Sequence, residues 1–330
     1  MSTRKTAPTM NDVAREAGVA LGTVSKVVNG LPVGESYRIK VEEAIRKLDY
    51  HVNSYAKGFR SGRSQIVAVM VPNLINPFFA KLVNSINKSL SEQHYRMLLF
   101  ATDYKPEQEQ EYVYLAERQK VDGIICLSYN PKLRVSEGVR LVSVDRYFGA
   151  RIPCVASDNF GGGQLAAERL IGNGCRNLAF LRIGTSLPHE PSKRRDGFLD
   201  VCGAEGVPVT EKILGDGTPY EEFEHFLAEH FHEGKLDFDG IFCVTDSLAH
   251  QIIQTLERMG LRVPEDVQII GFDGCRNFGD LELTCSTIVQ PVEAIAQTCV
   301  DIILNMDADK TPSLMCLPVS YAAGGTTIDR

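Results

Sequence analysis

The sequence predicts an α/β protein with a small head of three helices, followed by a body of two lobes in which helices flank parallel sheets. Three observations carry this expectation. From residue 66 onward, apolar strand-like runs alternate with amphipathic helix-like runs, the pattern that builds parallel sheets covered on both faces. The body's length of about 265 residues exceeds one comfortable core, so two lobes are expected. The charge is divided too: residues 1 to 63 hold eleven Lys or Arg against six Asp or Glu (+5), and the remainder holds 24 against 36 (−12), which gives the net −7.

In the head, Thr9 and Asp12 form a T-x-x-D helix-starting box, with Val13, Ala14 and Ala17 apolar at helical spacing behind it. Gly18 ends this first helix. In the second, Val24, Val27 and Val28 make the buried stripe, which leaves Leu21, Gly22, Ser25, Lys26 and Asn29 toward solvent. A third helix is expected from Arg38 to Leu48, where Val41, Ala44, Ile45 and Leu48 recur at helical spacing. Two short helices joined by a glycine turn outline a helix-turn-helix, although the same periodicity suits any small helical bundle. Charge separates these readings, because positive charge confined to one module of an acidic chain is the footprint of contact with the phosphates of double-stranded DNA.

In the body, IVAVMV reads as a strand and residues 77–91 as a helix whose Phe78, Leu82, Ile86 and Leu90 mark a core stripe. RMLLFA, a helix over 106–120, GIICLS and LVSV follow. LAFLRI, helices near 192–204 and 220–232, IFCVT, a helix near 247–259 and VQIIGF continue the alternation. The glycines of NFGGGQLAAERL look like a phosphate loop but lack G-x-x-x-x-G-K-[ST] and G-x-G-x-x-G, so close packing at a helix start is expected instead. His225, His230 and His232 lie at i, i+5 and i+7, a helical spacing that does not converge on a metal. The nine cysteines include no C-x-x-C and read as reduced thiols. No nucleophile, base and acid converge, so neither enzyme activity nor a cofactor or metal is expected. No apolar stretch is long enough to span a membrane, and MSTRKTAPT runs straight into the first helix, which points to the cytoplasm.

DVAREAGVALGTVSKVVN closely matches D-V-A-x-x-A-G-V-S-x-x-T-V-S-R-V-x-N, and on it the head resembles the lactose-repressor (LacI/GalR) family of bacterial transcription regulators. The likeness continues through LDYHVNSYAKGFRSGRS, INPFF, VDGIICLS, SVDR, LRVPEDVQIIGFDG and STIVQPVEAI, in family order and over almost all of the chain. The resemblance implies a helix-turn-helix domain at 1–51, a hinge helix at 52–63 and an effector-binding, dimerising body at 64–330. The body fold it implies is that of type I periplasmic binding proteins, with three crossings between lobes: one lobe at about 64–158 and 292–318, the other at about 159–290 and 319–330. It places Thr9, Asn11, Ala20, Leu21, Gly22, Thr23, Ser25, Lys26 and Asn29 on DNA from the head, and Asn53, Tyr55, Ala56, Lys57 and Phe59 from the hinge.

Several of these positions depart from the family pattern. Ala20 stands where the family commonly has a capping Ser. Leu21 offers only apolar contact, Gly22 offers nothing, and Lys26 replaces an Arg and with it the planar fork. Phe59 stands where a leucine wedges into the minor groove, a role phenylalanine also suits. Gly58 weakens the hinge helix, so its folding should depend on DNA and on the partner hinge.

Ligands of such folds sit beyond the carboxyl ends of the strands. That position selects Asn76, Phe78, Asp103, Ser128, Asp145 with Arg146, Asp158, Thr245 with Asp246, Asp273 and Gln290. Asp145, Asp158 and Asp246 equally suit caps of the helices that follow. Arg194 in R-R-D-G-F matches the family's R-x-x-G-F arginine, and Thr245 stands where the family usually has Asn or Asp. A carboxylate such as Asp273 facing Arg194 grips vicinal hydroxyls, while Phe78 stacks on an apolar sugar face. The expected protein is a homodimeric repressor of sugar-utilisation genes, acting on operator DNA and controlled by a sugar or sugar phosphate. Control by a phosphorylated carrier protein, or by a nucleoside or purine, remains open at this point.

Overall fold

The computed structural model describes residues 8–50, 63–149, 151–184, 189–275, 283, 285–305, 307 and 311–328. The chain forms two compact units, Met1–Ser64 and Gln65–Arg330. In the first, helices α1 (Met10–Ala17), α2 (Leu21–Val28) and α3 (Glu35–Leu48) meet through Val13, Val24 and Val41, one fully buried valine from each. The capping box at Thr9 and Asp12 is closed in both directions: Asp12 N donates to Thr9 Oγ1 at 3.3 Å and Thr9 N donates to Asp12 Oδ2 at 2.9 Å. Gly18 then turns the chain at φ +62°, a conformation that favours glycine. Helix α3 begins a turn earlier than the apolar repeat indicates, because its first turn, Glu35 to Tyr37, is exposed and needs no apolar residue.

Ala20 occupies the N-cap of α2 in extended geometry (φ −68°, ψ 148°) without a side-chain bond. The geometry suits a capping hydroxyl. Ala20→Ser should stabilise α2 by about 1 kcal/mol, read as roughly five-fold slower amide exchange across the helix in the intact protein.

The second unit contains two six-stranded sheets. The first comprises β1 (Ile66–Val71), β2 (Arg96–Ala101), β3 (Gly123–Cys126), β4 (Leu141–Val144), β5 (Cys154–Ser157) and β13 (Leu314–Leu317), ordered β13-β5-β4-β3-β1-β2 and parallel throughout. The second comprises β6 (Leu178–Ile183), β7 (Val209–Leu214), β10 (Gly240–Cys243), β11 (Gln268–Asp273), β12 (Ser286–Val289) and β14 (Ser320–Ala322), ordered β14-β12-β11-β10-β6-β7. Only β14 runs antiparallel to its neighbour in that sheet. The chain therefore passes between sheets after β5, after β12 and after β13.

Continuous apolar strands are explained by burial on both faces. Val67, Val69 and Val71 pack against Phe78, Leu82, Ile86 and Leu90 of α4 (Pro77–Glu92) and against Val292, Ile295 and Ile303 of α10 (Val292–Asn305). On the other face, Ala68 and Met70 pack against Val113 and Ala116 of α5 (Pro106–Arg118). The second sheet carries α6 (Asn159–Gly172), α7 (Lys193–Glu205), α8 (Glu221–Glu229) and α9 (Asp246–Arg258) around a core that includes Phe180, Phe198, Phe242 and Phe272.

The helix expected over 220–232 ends at Glu229. A two-residue ladder, β8 (Phe231–His232) with β9 (Lys235–Leu236), follows and turns at Glu233 (φ +50°) and Gly234 (φ +82°). His232 thus lies outside the helix, and His230 Nδ1 meets Asp237 Oδ2 at 2.9 Å. Among the described residues no three side chains cluster as metal ligands, and no helix is long and apolar enough to cross a membrane.

Candidate functional site

The carboxyl ends of both sheets face one cavity of about 560 Å³. The first sheet contributes Asn76, Phe78 and Phe79 after β1, Tyr104 after β2, Leu127 and Tyr129 after β3, and Asp145 after β4. From the second come Arg182 to Gly184, Asp216, Val244 with Thr245, Asp273 and Gln290, together with His189, Pro191 and Arg194 from α7 and the segment before it. Of the residues expected from sequence, Asn76, Phe78, Asp145, Arg194, Thr245, Asp273 and Gln290 are brought together here.

Arg194 is the buried centre of this arrangement. Its Nε donates to Asn159 Oδ1 at 2.7 Å, its Nη1 donates to the Val244 carbonyl at 2.7 Å, and Nη1 lies 3.8 Å from Asp273 Oδ1. The guanidinium carbon stacks 3.6 Å from the centre of the Phe272 ring, adding cation–π attraction to the ion pair. Close packing of α6 on α7 sets the arginine's position. A Cβ at Gly163 would fall 2.0 Å from the Arg194 carbonyl oxygen, and one at Gly197 would fall 2.0 Å from that of Phe160. The glycine run is therefore a helix-crossing device, as its sequence context implies. Gly163→Ala should cost about 1–3 kcal/mol of stability, measurable by urea denaturation, and should displace Arg194.

Asp145 and Asp273 are both buried carboxylates at positive φ (+57° and +133°). Burial pushes the Asp145 carboxyl up to about 6, with the Arg194 charge pulling the other way. Burial likewise raises Asp273, again opposed by Arg194. Gln290 fixes Asp273 and bridges the sheets: its Nε2 donates to Asp273 Oδ1 at 2.7 Å, and its Oε1 accepts from Ser157 Oγ at 2.7 Å. Asp145 Oδ1, by contrast, is a buried oxygen without a hydrogen-bond partner among the described residues.

Capping accounts for other candidates. Asp158 accepts from Gly161 N at 2.9 Å, Asn76 accepts from Phe78 N at 2.9 Å, and Thr245 accepts from Leu248 N at 3.2 Å. Asp246 is no cap, since its carboxylate accepts from Cys275 N at 2.8 Å and Thr287 Oγ1 at 2.5 Å. Asp103 and Ser128 do not line the cavity, contrary to their expected role. The turn at Asp103 sends its side chain to solvent and to Lys105 Nζ at 2.8 Å. Ser128 Oγ is turned inward to the buried Glu109, which also accepts from Tyr129 N at 3.2 Å and Asn130 N at 3.1 Å. These bonds hold the turn that presents Tyr129.

Tyr104, Tyr129, Arg182, His189 and Asp216 also line the cavity, beyond the residues expected from sequence. His189 is pushed down to about 3 by burial and by Arg182, Arg194 and Arg146, so it faces the cavity as a neutral ring. Arg182 lies within β6 rather than beyond it, and Asp216 follows β7, whose VTEKIL carries three consecutive polar residues and so gives no apolar run to mark the strand.

In the head, Asn11, Leu21, Gly22, Lys26 and Asn29 are exposed, as are Thr9 and Ala20, while Thr23 and Ser25 are half-buried. Asn29 Nδ2 donates to the Ser25 carbonyl at 2.7 Å, tying it to the end of its own helix. Asn53, Tyr55, Ala56, Lys57 and Phe59 lie outside the described residues.

Comparison with known proteins agrees with both units. A family model described as bacterial regulatory proteins, lacI family, matches residues 9–53, and one described as periplasmic binding proteins and sugar binding domain of LacI family matches residues 64–308. The sucrose operon repressor of Pediococcus pentosaceus is 31% identical across 97% of this chain and 99% of its own length. Catabolite control protein A of Priestia megaterium is 31% identical across 86% of this chain and 88% of its own. The lac repressor dimer bound to operator and the anti-inducer ONPF superposes with a TM-score of 0.82 at 22% identity, covering 98% of this chain and 100% of that one, a likeness of fold. The chain belongs to the LacI family of bacterial regulatory proteins, DNA-binding transcription regulators that carry a periplasmic-binding-protein-like sugar-binding domain.

Proposed function

We propose that the protein is a cytoplasmic, homodimeric repressor of sugar-utilisation genes, a binder rather than an enzyme, and that a sugar-class effector in the cleft controls its hold on operator DNA. The observation that carries this reading is the gathering at one interlobe cavity of the buried carboxylates Asp145 and Asp273 with the buried guanidinium of Arg194, acceptors and a donor suited to vicinal hydroxyls. A ligand that bridges Asp145 of one lobe and Arg194 of the other favours one angle between the lobes. That angle sets the spacing of the two hinges in a dimer and hence their order on DNA. The effector's preference between the DNA-bound and free states decides whether it induces or co-represses. The likeness to catabolite control protein A favours a second reading, in which a protein co-regulator takes the effector's place.

The test is titration of the intact protein onto operator sequences selected from random duplex DNA, with and without sugars and sugar phosphates. A saturable change in DNA affinity with either class supports the reading. An unchanged complex with every sugar would transfer control to a protein partner. Phe59→Ala tests the hinge: specific affinity should fall on the order of 10–100-fold while nonspecific affinity changes little. Equal losses in both would remove the wedge role.

A further inference from the structure

We propose that Ser157, Asn159 and Gln290 are positioning residues that join the gripping groups of the site, Arg194 and Asp273, to the segments where the chain passes between the sheets; this deepens the effector reading above and rests on it for the ligand's part. The geometry is a closed polar circuit. Ser157 Oγ donates to Gln290 Oε1 at 2.7 Å, Gln290 Nε2 donates to Asp273 Oδ1 at 2.7 Å, and Arg194 Nη1 lies 3.8 Å from that same oxygen. Arg194 Nε then donates to Asn159 Oδ1 at 2.7 Å, and Asn159 Nδ2 returns to the Ser157 carbonyl at 2.9 Å. All five residues are buried.

The direction of each bond is fixed by its neighbour. A guanidinium only donates and a carbonyl only accepts, so Asn159 must turn its oxygen to Arg194 and its nitrogen to Ser157. Asp273 Oδ1, facing Arg194, is an acceptor; it draws the Gln290 nitrogen and leaves Gln290 Oε1 for the Ser157 hydroxyl. A flip of either amide would break two bonds at once.

Placement gives the circuit its role. Ser157 ends β5 in the first sheet, Asn159 opens α6 on the second, and Gln290 lies between β12 and α10, so the first two passages between the sheets are spanned. The third is tied on at the next residue, where Asp158 N donates to the Leu317 carbonyl at the end of β13 at 2.7 Å. Ser157 is the member of the circuit that belongs to the first sheet, and it holds a bond to each amide. A change of lobe angle that turns Ser157 against Gln290 must lengthen one or more links, and a ligand that pulls on Arg194 or Asp273 strains the same links from the other side. Buried groups cannot exchange a lost partner for water, so the strain passes around the circuit rather than relaxing locally. Lobe angle and grip on the ligand are thereby linked in both directions.

The experiment is backbone amide exchange and DNA binding by the intact wild-type protein, Ser157→Ala and Ser157→Thr, with an operator selected from random duplex DNA. In Ser157→Ala, exchange should quicken at least about fivefold beside Ser157 and also at 272–275 and 193–198, the segments that lie beyond Gln290 and Asn159 in the circuit. Ser157→Thr keeps the hydroxyl and should restore the slow rates. Operator affinity without any sugar should move at least about fivefold in Ser157→Ala while nonspecific affinity holds. Quickened exchange confined to the neighbours of Ser157 would overturn the inference, as would exchange that spreads while operator affinity stays at the wild-type value. Gln290→Met opens the circuit on its other side at similar volume and carries the same expectations should Ser157→Ala fail to fold. Neither readout uses an effector. If no sugar alters the wild-type DNA complex, the effector reading falls alone, and these measurements still decide whether the circuit links the site to the lobe angle.

Discussion

Arg194→Ala should abolish the response to effector and destabilise the body by about 3–5 kcal/mol, the usual cost of breaking a buried ion pair by removing one partner. The cost is high because one side chain serves several groups. Its removal strips the donors from Asn159 Oδ1 and the Val244 carbonyl, empties the face of Phe272 and leaves Asp273 and Asp145 without their shared cation. The damage should also depend on pH in a defined direction. Both carboxyls are raised above their ordinary range, so the folded chain keeps protons that the unfolded chain has released. Their contribution to stability is then full in acid and is lost as pH rises through about 6 for Asp145, and further up for Asp273. Without Arg194 both shift further upward. The deficit of the variant should therefore widen between about pH 5 and about pH 8, as read by urea denaturation of variant and wild type at both values. A deficit independent of pH would mean that Arg194 acts through packing alone.

Much of this site was legible in the sequence because a parallel sheet delivers its functional residues by rule: the polar residue directly after an apolar run faces the cleft. Asp145 and Gln290 follow their strands directly, Thr245 comes two residues after β10, Asp273 is the last residue of β11, and Asn76 reaches the cavity from the loop after β1. Asp103 satisfies the same pattern but is turned away, since positive φ at both 103 and 104 brings Tyr104 to the cavity in its place. Ser128 is captured by Glu109, a carboxylate nineteen residues earlier on another element, and no local pattern records that pairing. Asp216 follows an edge strand, where burial on both faces is not required and the apolar run that would mark the strand is missing. The head was read with less loss because its caps and valine stripe are local. Only the exposed first turn of α3, which carries neither, escaped.

Asp273→Gly should be more stable than Asp273→Ala by about 1–3 kcal/mol, although both lose the carboxylate and both should lose effector binding. At an unstrained strand position the order is the reverse, with glycine about 0.5–1 kcal/mol the less stable. The inversion follows from the backbone. Asp273 closes β11 at φ +133°, where L side chains are rarely found, and Gly274 continues the turn at +71°. A conformation of this kind persists only when its surroundings over-determine it, and here they do. Gln290 N donates to the Asp273 carbonyl at 3.3 Å, Gly274 N to Thr287 Oγ1 at 3.2 Å, and Cys275 N to Asp246 Oδ2 at 2.8 Å, while Thr287 Oγ1 in turn donates to Asp246. Asp246 thus acts at a distance from any ligand, holding the turn that aims Asp273 at Arg194. Denaturant unfolding of the two variants decides the matter. If the alanine form is the more stable, the turn holds no strain at residue 273, and the carboxylate owes its orientation to Gln290 alone.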